Sequence, residues 1–379
     1  MGMKSNFYWI WKKIAEKNTR SHYKKLYVNE YSFFESHKDK KPKNLMRREM
    51  KILQKYWGCY PFQYIRYGMY LKSCTLSIEE MKDYIPNFFA YYLFFPKFFT
   101  EYLMVSEDKE LTYQVLKSMD IRQPNLLFQY KNGRFYSHNK SILSDDEVND
   151  LIKKTKAEKL FMKPTMGLGG KGIMVFNKNK IFTDEEGNQL SAEFIKKTLG
   201  KKDNYLVQEG LIQHEEINKI YPKSINTIRA YTEVKNGEAK FLFALLRMGH
   251  GGKQIDNASQ KGYVCRINPE KGELASYATS RLFEKTDHHP DTNFKFDGYK
   301  IPFWDEIKDF VLVAAQKNES IGYVGWDIAY TKDGPSVIEI NAAPGLHSLQ
   351  ENFGGVREAF GIKNPKSYWY STKFIMQDK

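Results

Sequence analysis

The sequence predicts an α+β protein carrying a helical, aromatic-rich N-terminal extension. Three observations carry that expectation. Residues 1–60 hold 15 Lys/Arg against 5 Asp/Glu in a helix-like, aromatic-studded pattern. Aromatics then crowd from Tyr56 to Leu103. Residues 159–345 read mainly as strands separated by turn signals, interrupted by helical stretches near 191–199 and 303–318. The regions expected are a basic helical arm (1–55), an aromatic-rich helical region (56–105), a catalytic region (106–362) and a poorly ordered tail (363–379).

The net charge of +14 is concentrated at one end, because residues 1–60 alone contribute +10. That distribution argues against a nucleic-acid-binding body, and no recognition motif accompanies it. In the arm, Trp9, Lys12, Lys13 and Lys17 suit an amphipathic surface for an anionic membrane or a polyanionic glycan. The alternative is a solvated arm packed on the body. Cys59, Cys74 and Cys265 show neither disulfide nor zinc spacing, which suits a reducing cytoplasm. Phe7–Trp11 is too short for a signal core, and Phe88–Phe95 is too short to span a bilayer. Asn6 replaces the Ser or Thr a myristoylation signal needs. The expected location is therefore cytoplasmic, with peripheral contact at the inner face of the membrane as an option. At this density most of the aromatics between 56 and 103 belong to a core. No fixed-period repeat is visible.

From Ser106 the signals become local. Ser106-Glu-Asp-Lys109 opens a helix, with Ser106 as N-cap, that runs through Leu116 and Met119 to a stop at Ile121-Arg-Gln-Pro124. Strands near Leu126–Tyr130 and Arg134–His138 flank an Asn132-Gly133 hairpin turn. Asp145-Asp146-Glu147 starts another helix, expected over 145–157.

Lys159-Leu-Phe-Met-Lys-Pro-Thr-Met-Gly-Leu-Gly-Gly-Lys-Gly-Ile-Met-Val-Phe176 matches G-x-G-x-x-G as a string. A dinucleotide fold needs a helix after that loop, yet Ile173-Met-Val-Phe-Asn is a strand pattern. Lys171-Gly172 also lacks the Ser/Thr of a phosphate-binding Walker loop. The segment is better read as strand–glycine loop–strand, a flap whose N–H groups cradle phosphate, with Lys163 on the incoming strand to neutralise charge. Tyr205-Leu-Val-Gln-Glu-Gly-Leu-Ile-Gln-His-Glu-Glu216 runs from an apolar strand into a polar connector, the kind of wall and edge a base and a ribose need. In Ser224–Tyr231, alternation sets Ile225, Thr227 and Arg229 on one face. Arg247 ends the apolar run Phe241–Met248, where it pairs either with a bound anion or with a core carboxylate.

Val324-Gly-Trp-Asp-Ile-Ala-Tyr-Thr-Lys-Asp-Gly-Pro-Ser-Val-Ile-Glu-Ile-Asn341 reads as two strands around a turn at Lys332–Pro335. Alternation puts Glu339 and Asn341 on one face and Ile338 and Ile340 on the other. With Asp327 alongside, these are hard oxygen ligands suited to magnesium. His288-His289 shows no ligand spacing.

In this order the pieces resemble the ATP-grasp superfamily. Residues 56–350 look most like its sugar-transfer-associated members from bacterial polysaccharide gene clusters. Lys223-Ser-Ile-Asn-Thr-Ile-Arg229, Asp256-Asn257, His289-Pro-Asp-Thr292, Ile301-Pro-Phe-Trp-Asp305, Gly325-Trp-Asp-Ile-Ala and Ile338-Glu-Ile-Asn341 carry the match. The resemblance implies an ATP-grasp fold of two α+β subdomains gripping ATP. It implies Lys109 and Lys163 on phosphate, and Gly167, Gly169, Gly170, Lys171 and Gly172 as the flap. Glu209, Gly210, Leu211 and Ile212 would form the adenine hinge, with Glu216 on ribose. Asp327, Glu339 and Asn341 would hold two Mg2+ ions, for which Mn2+ can substitute. Many amide-forming members carry an Arg two residues before the first metal carboxylate. Gly325 stands there in this chain, so Arg229 or Arg247 would supply the charge. Asn226, Asp256, Asn257 and Asp291 fall near the acceptor. The implied activity is ligation of a small-molecule or glycan carboxylate to an amine through an acyl-phosphate. A sugar kinase using the same ATP site, and a non-catalytic protein binding glycan or membrane surfaces, stay open at this point. The sequence leaves the oligomeric state unassigned.

Overall fold

The computed structural model describes residues 24, 25, 27–99, 102–167, 170–252, 262–280 and 284–371. Trp9, Lys12, Lys13, Lys17, Gly169, Asp256 and Asn257 lie outside the described residues. The chain forms two compact units, Met1–Thr100 with Gly345–Lys379, and Glu101–Pro344. Their borders fall at 100 and 345, against the 105 and 362 drawn from sequence.

The first unit is helical. In the helix Lys43–Trp57, Met46, Met50, Leu53 and Trp57 recur every three or four residues and face its core. Lys43, Arg47, Arg48, Lys51 and Lys55 are exposed on the same helix. The aromatic crowding resolves as core: Trp57, Phe62, Tyr64, Tyr70, Phe88, Phe89, Phe94, Phe95 and Phe99 are all buried. Arg66 is buried between the carboxylates of Glu30 and Glu351. The tail departs from expectation. Pro365–Ser371 is a helix, and its Trp369 is buried with the indole N–H donating to Trp57 O at 2.8 Å. Trp369 also stacks on Phe88, and Tyr368 beside it packs against Phe89 and Phe94, so aromatic contacts anchor this segment.

The second unit holds fourteen described strands in two sheets. They are β1 Leu126–Lys131, β2 Arg134–Tyr136, β3 Ile142–Leu143, β4 Lys159–Pro164, β5 Met174–Lys178, β6 Phe182–Thr183, β7 Asn204–Glu209, β8 Thr227–Lys235, β9 Glu238–Met248, β10 Tyr263–Ile267, β11 Leu274–Ser280, β12 Lys285–Thr286, β13 Tyr323–Thr331 and β14 Gly334–Asn341. One sheet has the order β3-β2-β1-β7-β4-β5-β6, the other β12-β11-β10-β9-β8-β13-β14. The expected hairpins form. Asn132 and Gly133 turn with φ of 52° and 76°, and β4 pairs antiparallel with β5 across the glycine loop.

In the first sheet Leu160 and Met162 alternate into a core with Val148, Ile152, Ile195 and Val207, which leaves Phe161 and Lys163 on the opposite face. In the second sheet the helix Trp304–Lys317 packs on β8, β9 and β13. Register places Ile228, Ala230, Leu246 and Trp326 on one face and Thr227, Arg229, Arg247 and Asp327 on the other. Two local expectations are corrected. The helix Lys109–Ser118 is capped by Asp108, whose carboxylate accepts from Glu110 N and Leu111 N, so Lys109 is its first residue. Ser106 instead ends a preceding turn of helix, Leu103–Glu107. The break occurs because Asp108 bridges to Met166 and Lys109 N donates to Thr165 O. The helix begun at Asp145 stops at Lys154, three residues short of expectation.

Trp326 is fully buried under the second sheet and donates its indole N–H to Thr232 Oγ1 at 2.8 Å. Trp326→Ala is expected to destabilise the protein by about 3–5 kcal/mol in urea unfolding. A loss under about 1 kcal/mol would contradict this packing.

Candidate functional site

One cleft within the second unit gathers residues from both sheets and from the helix that starts at Lys109. Of the residues expected from sequence, Lys109, Lys163, Gly167, Gly170, Lys171, Glu209, Gly210, Leu211, Arg247, Asp327 and Glu339 line it. Gly172, Ile212, Glu216, Arg229 and Asn341 do not. Gly172 turns the loop with a φ of 74°, and Ile212 is exposed. Glu216 pairs with Lys219 at 2.6 Å. Asn341 sits opposite Gly325, to whose carbonyl its Nδ2 donates at 3.5 Å.

Sequence reasoning missed Phe161, Thr112, Tyr113, Gln208 and Ile338 as lining residues. Most of them had a signal. Phe161 shares the period-two face of Lys163, and Thr112 and Tyr113 lie three and four positions after Lys109 on its helix. Gln208 is the polar residue in an otherwise apolar strand. Ile338 had none. A bulge pairs Asp327 with Glu339 but Ile328 with Val337, leaving Ile338 unpaired. A bulge breaks alternation, so Ile338 and Glu339 both reach the cleft, contrary to the expectation of opposite faces.

The Glu209–Gly210 segment is held by groups from neighbouring segments. Glu209 accepts from Thr155 Oγ1 and from Asn125 Nδ2, and Gly210 N donates to Lys159 O at 2.8 Å. A Cβ at Gly210 would fall 2.9 Å from Lys159 Cβ. Asn226, expected near the acceptor, is fully buried behind the cleft. Its Nδ2 donates to Ile217 O and Tyr221 O, and its N–H donates to Gln213 Oε1, so it staples the hinge connector to β8. Asp291 accepts from Gly251 N and stands 3.9 Å from His250 Nδ1. His289 is buried, stacked on Tyr221, with Nε2 on Gly249 O.

Charge is organised in a pair and a trio. Lys109 Nζ donates to Gly167 O at 3.1 Å and lies 3.4 Å from Glu339 Oε1. Thus one cation ties the flap to the end of β14. Deeper, Asp327 is clasped by two guanidiniums. Arg229 donates Nε to Oδ1 at 2.5 Å and NH2 to Oδ2 at 2.8 Å, and Arg247 NH1 lies 3.0 Å from each oxygen. Burial works to raise the Asp327 carboxyl, but the two arginines outweigh it and hold it below the usual carboxylate range. Burial likewise opposes the Arg229 charge, and Asp327 more than restores it, so the Arg229 pKa is raised. Burial also raises the neighbouring Tyr231 phenol, against the Arg229 charge beside it.

Gly325 explains itself in this geometry. A Cβ there would fall 2.7 Å from Pro344 Cβ, and Arg229 NH1 already lies 3.6 Å from that position. The Arg229 guanidinium, on the adjacent strand, lies beside the spot a side chain at position 325 would take.

As a cation site the donor set is uneven. Glu339 is 34% exposed and held by one flexible lysine, whereas Asp327 is 5% exposed with both oxygens taken. Among the described residues no three His, Cys, Asp or Glu side chains converge as a ready-made metal cluster.

Two sheets closing on a cleft under a glycine flap, with lysines from the flap strand and from a helix start, define an ATP-grasp fold. The sequence profile of the sugar-transfer associated ATP-grasp family matches residues 94–358, and the chain belongs to that family. No curated protein matches the sequence. Solved structures of similar fold include a phosphoribosylamine–glycine ligase from Thermotoga maritima (13% identity, 64% of this chain and 48% of that one, TM-score 0.37). Others are a D-alanine–D-alanine ligase from Bacillus anthracis (11%, 71% of each chain, 0.39) and a D-alanyl-alanine synthetase A from Vibrio cholerae (12%, 71% and 67%, 0.42). The chain spans about half the length of the first of these.

The Asp327 carboxyl, lowered when folded, stabilises the protein fully above the unfolded value of about 3.9 and loses that contribution as pH falls through the folded pKa. Asp327→Asn is therefore expected to lower stability at pH 7 and to flatten its further loss below about pH 4, read by denaturant midpoints across pH. An unchanged acid profile would contradict the clasp. Gly325→Ala is expected to cost about 1–3 kcal/mol through the Pro344 contact.

Proposed function

We propose that this protein is an ATP-dependent ligase that activates a carboxylate as an acyl-phosphate and condenses it with an amine, on a sugar or polysaccharide precursor. The observation that carries this is the convergence of Lys109, Lys163, Lys171 and Arg247 with Asp327 and Glu339 in one cleft. Four cations there face three carboxylates, Glu209 included, and this surplus of positive charge suits a polyanionic nucleotide.

In this reading Phe161, Ile173, Leu211 and Ile338 wall the base, and the Glu209–Ile212 backbone offers its hydrogen-bonding edge. Leu211 N–H makes no backbone hydrogen bond within the described residues, so it is open to a ring nitrogen. Gly167, Gly170 and Gly172 would lie over the phosphates. Lys109 would exchange Glu339 for a phosphate oxygen, and Lys163 would exchange Gln208, 3.3 Å away, for another. A divalent cation such as Mg2+, when bound, would neutralise phosphate charge, with Glu339 the cleft-lining carboxylate that would hold it.

The substrate carboxylate attacks the γ-phosphorus, the bond to the bridging β–γ oxygen breaks, and ADP leaves. The amine then attacks the acyl carbon and phosphate departs. Arg247, lining the cleft, and Arg229 behind it would stabilise the negative charge that develops on the acyl oxygens. Because Arg229 lies beside the place an arginine at 325 would take, Gly325 does not leave this part of the cleft without a guanidinium. The flap would keep water from the acyl-phosphate.

The arm has a separate proposed role. No ion pair is formed by Lys43, Arg47, Arg48, Lys51 or Lys55 among the described residues. This exposed stripe supports contact of the 1–55 region with an anionic membrane or glycan. No described helix is long and apolar enough to cross a membrane.

Lys109→Met and Lys163→Met are each expected to raise the KM for ATP roughly 10- to 100-fold, the loss of one charge-assisted bond. ADP release screened over uronic-acid nucleotides and amines, with mass detection of the conjugate, tests the reaction. Amine-dependent amide formation is expected, whereas a stable phosphorylated sugar formed without amine would overturn it. Lys43, Arg47, Lys51 and Lys55 changed together to Glu should reduce sedimentation with phosphatidylserine vesicles at least tenfold while sparing ATP turnover. Unchanged sedimentation would remove the membrane contact.

A further inference from the structure

Resting on the nucleotide reading of the cleft, we propose that the catalytic divalent cation is held by Glu339 and not by Asp327, whose carboxylate is reserved as the anchor of the Arg229–Arg247 pair. Asp327 and Glu339 are directly opposed across β13 and β14, so sequence makes them equivalent candidates. Their surroundings are not equivalent.

A carboxylate offers about four lone-pair sites on two oxygens. At Asp327 four close contacts from two guanidiniums use them, at 2.5, 2.8, 3.0 and 3.0 Å. The Arg229 contact is bidentate, through Nε and NH2, which fixes its plane as well as its charge. A dication on either oxygen would stand a few ångströms from two permanent positive charges. Arginine cannot relieve that repulsion by losing its proton. Turning Asp327 away would in turn leave two mostly buried guanidiniums without their partner, with side chains only 14% and 13% exposed.

Glu339 is less encumbered: among the described residues it hydrogen-bonds neither guanidinium, although Arg229 is near enough to feel its charge. It pairs with Lys109 at 3.4 Å, and that lysine is long, flexible and within 3.1 Å of the carbonyl of Gly167. When a triphosphate enters, Lys109 can move to a phosphate oxygen and release Glu339 in the same step. The bulge at Ile338 re-aims Glu339 into the cleft, away from the ladder. The cation and the arginine pair then occupy separate places. The cation stands at the nucleotide side, with Glu339. The guanidiniums stand at the Gly325 side, toward the place a carboxylate substrate would take. Asp327 acts as a positioning residue for those guanidiniums.

The test uses the full chain with Mn2+ and ADP. Two samples are prepared, one labelled with 13C at aspartate side-chain carboxyls and one at glutamate side-chain carboxyls, and 13C electron–nuclear double resonance is recorded on the bound Mn2+. The glutamate-labelled protein is expected to show a coupling of directly ligated size, and the aspartate-labelled protein none. A ligated-size coupling from the aspartate label overturns the proposal while leaving the nucleotide site standing. Absence of any protein-bound Mn2+ in the presence of ADP overturns the nucleotide reading and this proposal together. As a second measurement, Glu339→Gln should weaken Mn2+ binding at least tenfold, and by clearly more than Asp327→Asn does where that variant folds. Equal loss in both folded variants overturns the proposal.

Discussion

The Asp327 carboxylate between Arg229 and Arg247 is the interaction on which the cleft depends. Two cations and one anion are brought together on three neighbouring strands, in surroundings where each alone would be costly. Removing one partner of such a cluster leaves an uncompensated buried charge, a loss of about 3–5 kcal/mol. The apolar face of the same strands, with Trp326, Ile228 and Leu246 buried beneath it, fixes their register. Slipping any strand by one residue would exchange these side chains for the charged ones. Core packing therefore determines that the three charges meet.

The charge pair is of another kind. Lys109 and Glu339 are partly exposed and meet at 3.4 Å, so their attraction is screened and weak. Weakness suits the role proposed for them, since both partners are to be given up to a phosphate and a cation. Their geometry also has consequences for the flap. Lys109 begins its helix because Asp108 caps it, and its own N–H donates to Thr165 O just before the glycine loop. The helix start, the flap and the end of β14 are linked through one residue.

Much of this was legible in the sequence. Strand–loop–strand around Gly167–Gly172 followed from β-type residues after the loop, and the shared face of Ile225, Thr227 and Arg229 followed from alternation. What escaped has physical causes. The bulge at Ile338 is a property of pairing between strands, so no single-strand pattern reports it. Asn226 reads as a polar residue available to substrate, yet it is fully buried and its Nδ2 is taken by the carbonyls of Ile217 and Tyr221. Gly325 looks like a missing arginine until the third dimension shows Arg229 from the next strand beside it. Ser106 has the chemistry of a helix cap, but tertiary pairing at Asp108 decides where the helix starts. In each case the deciding partner is distant in sequence.

The central claim is that the cleft is preorganised by a buried arginine–aspartate cluster that survives nucleotide binding, while the exposed lysine–glutamate pair opens. A crystal structure with Mg2+ and a non-hydrolysable ATP analogue tests it most directly. The account predicts the triphosphate beneath Gly167–Gly172, Lys109 Nζ on a phosphate oxygen, and both Arg229 contacts to Asp327 intact. An analogue bound away from this cleft, or Asp327 turned from both guanidiniums, would contradict it.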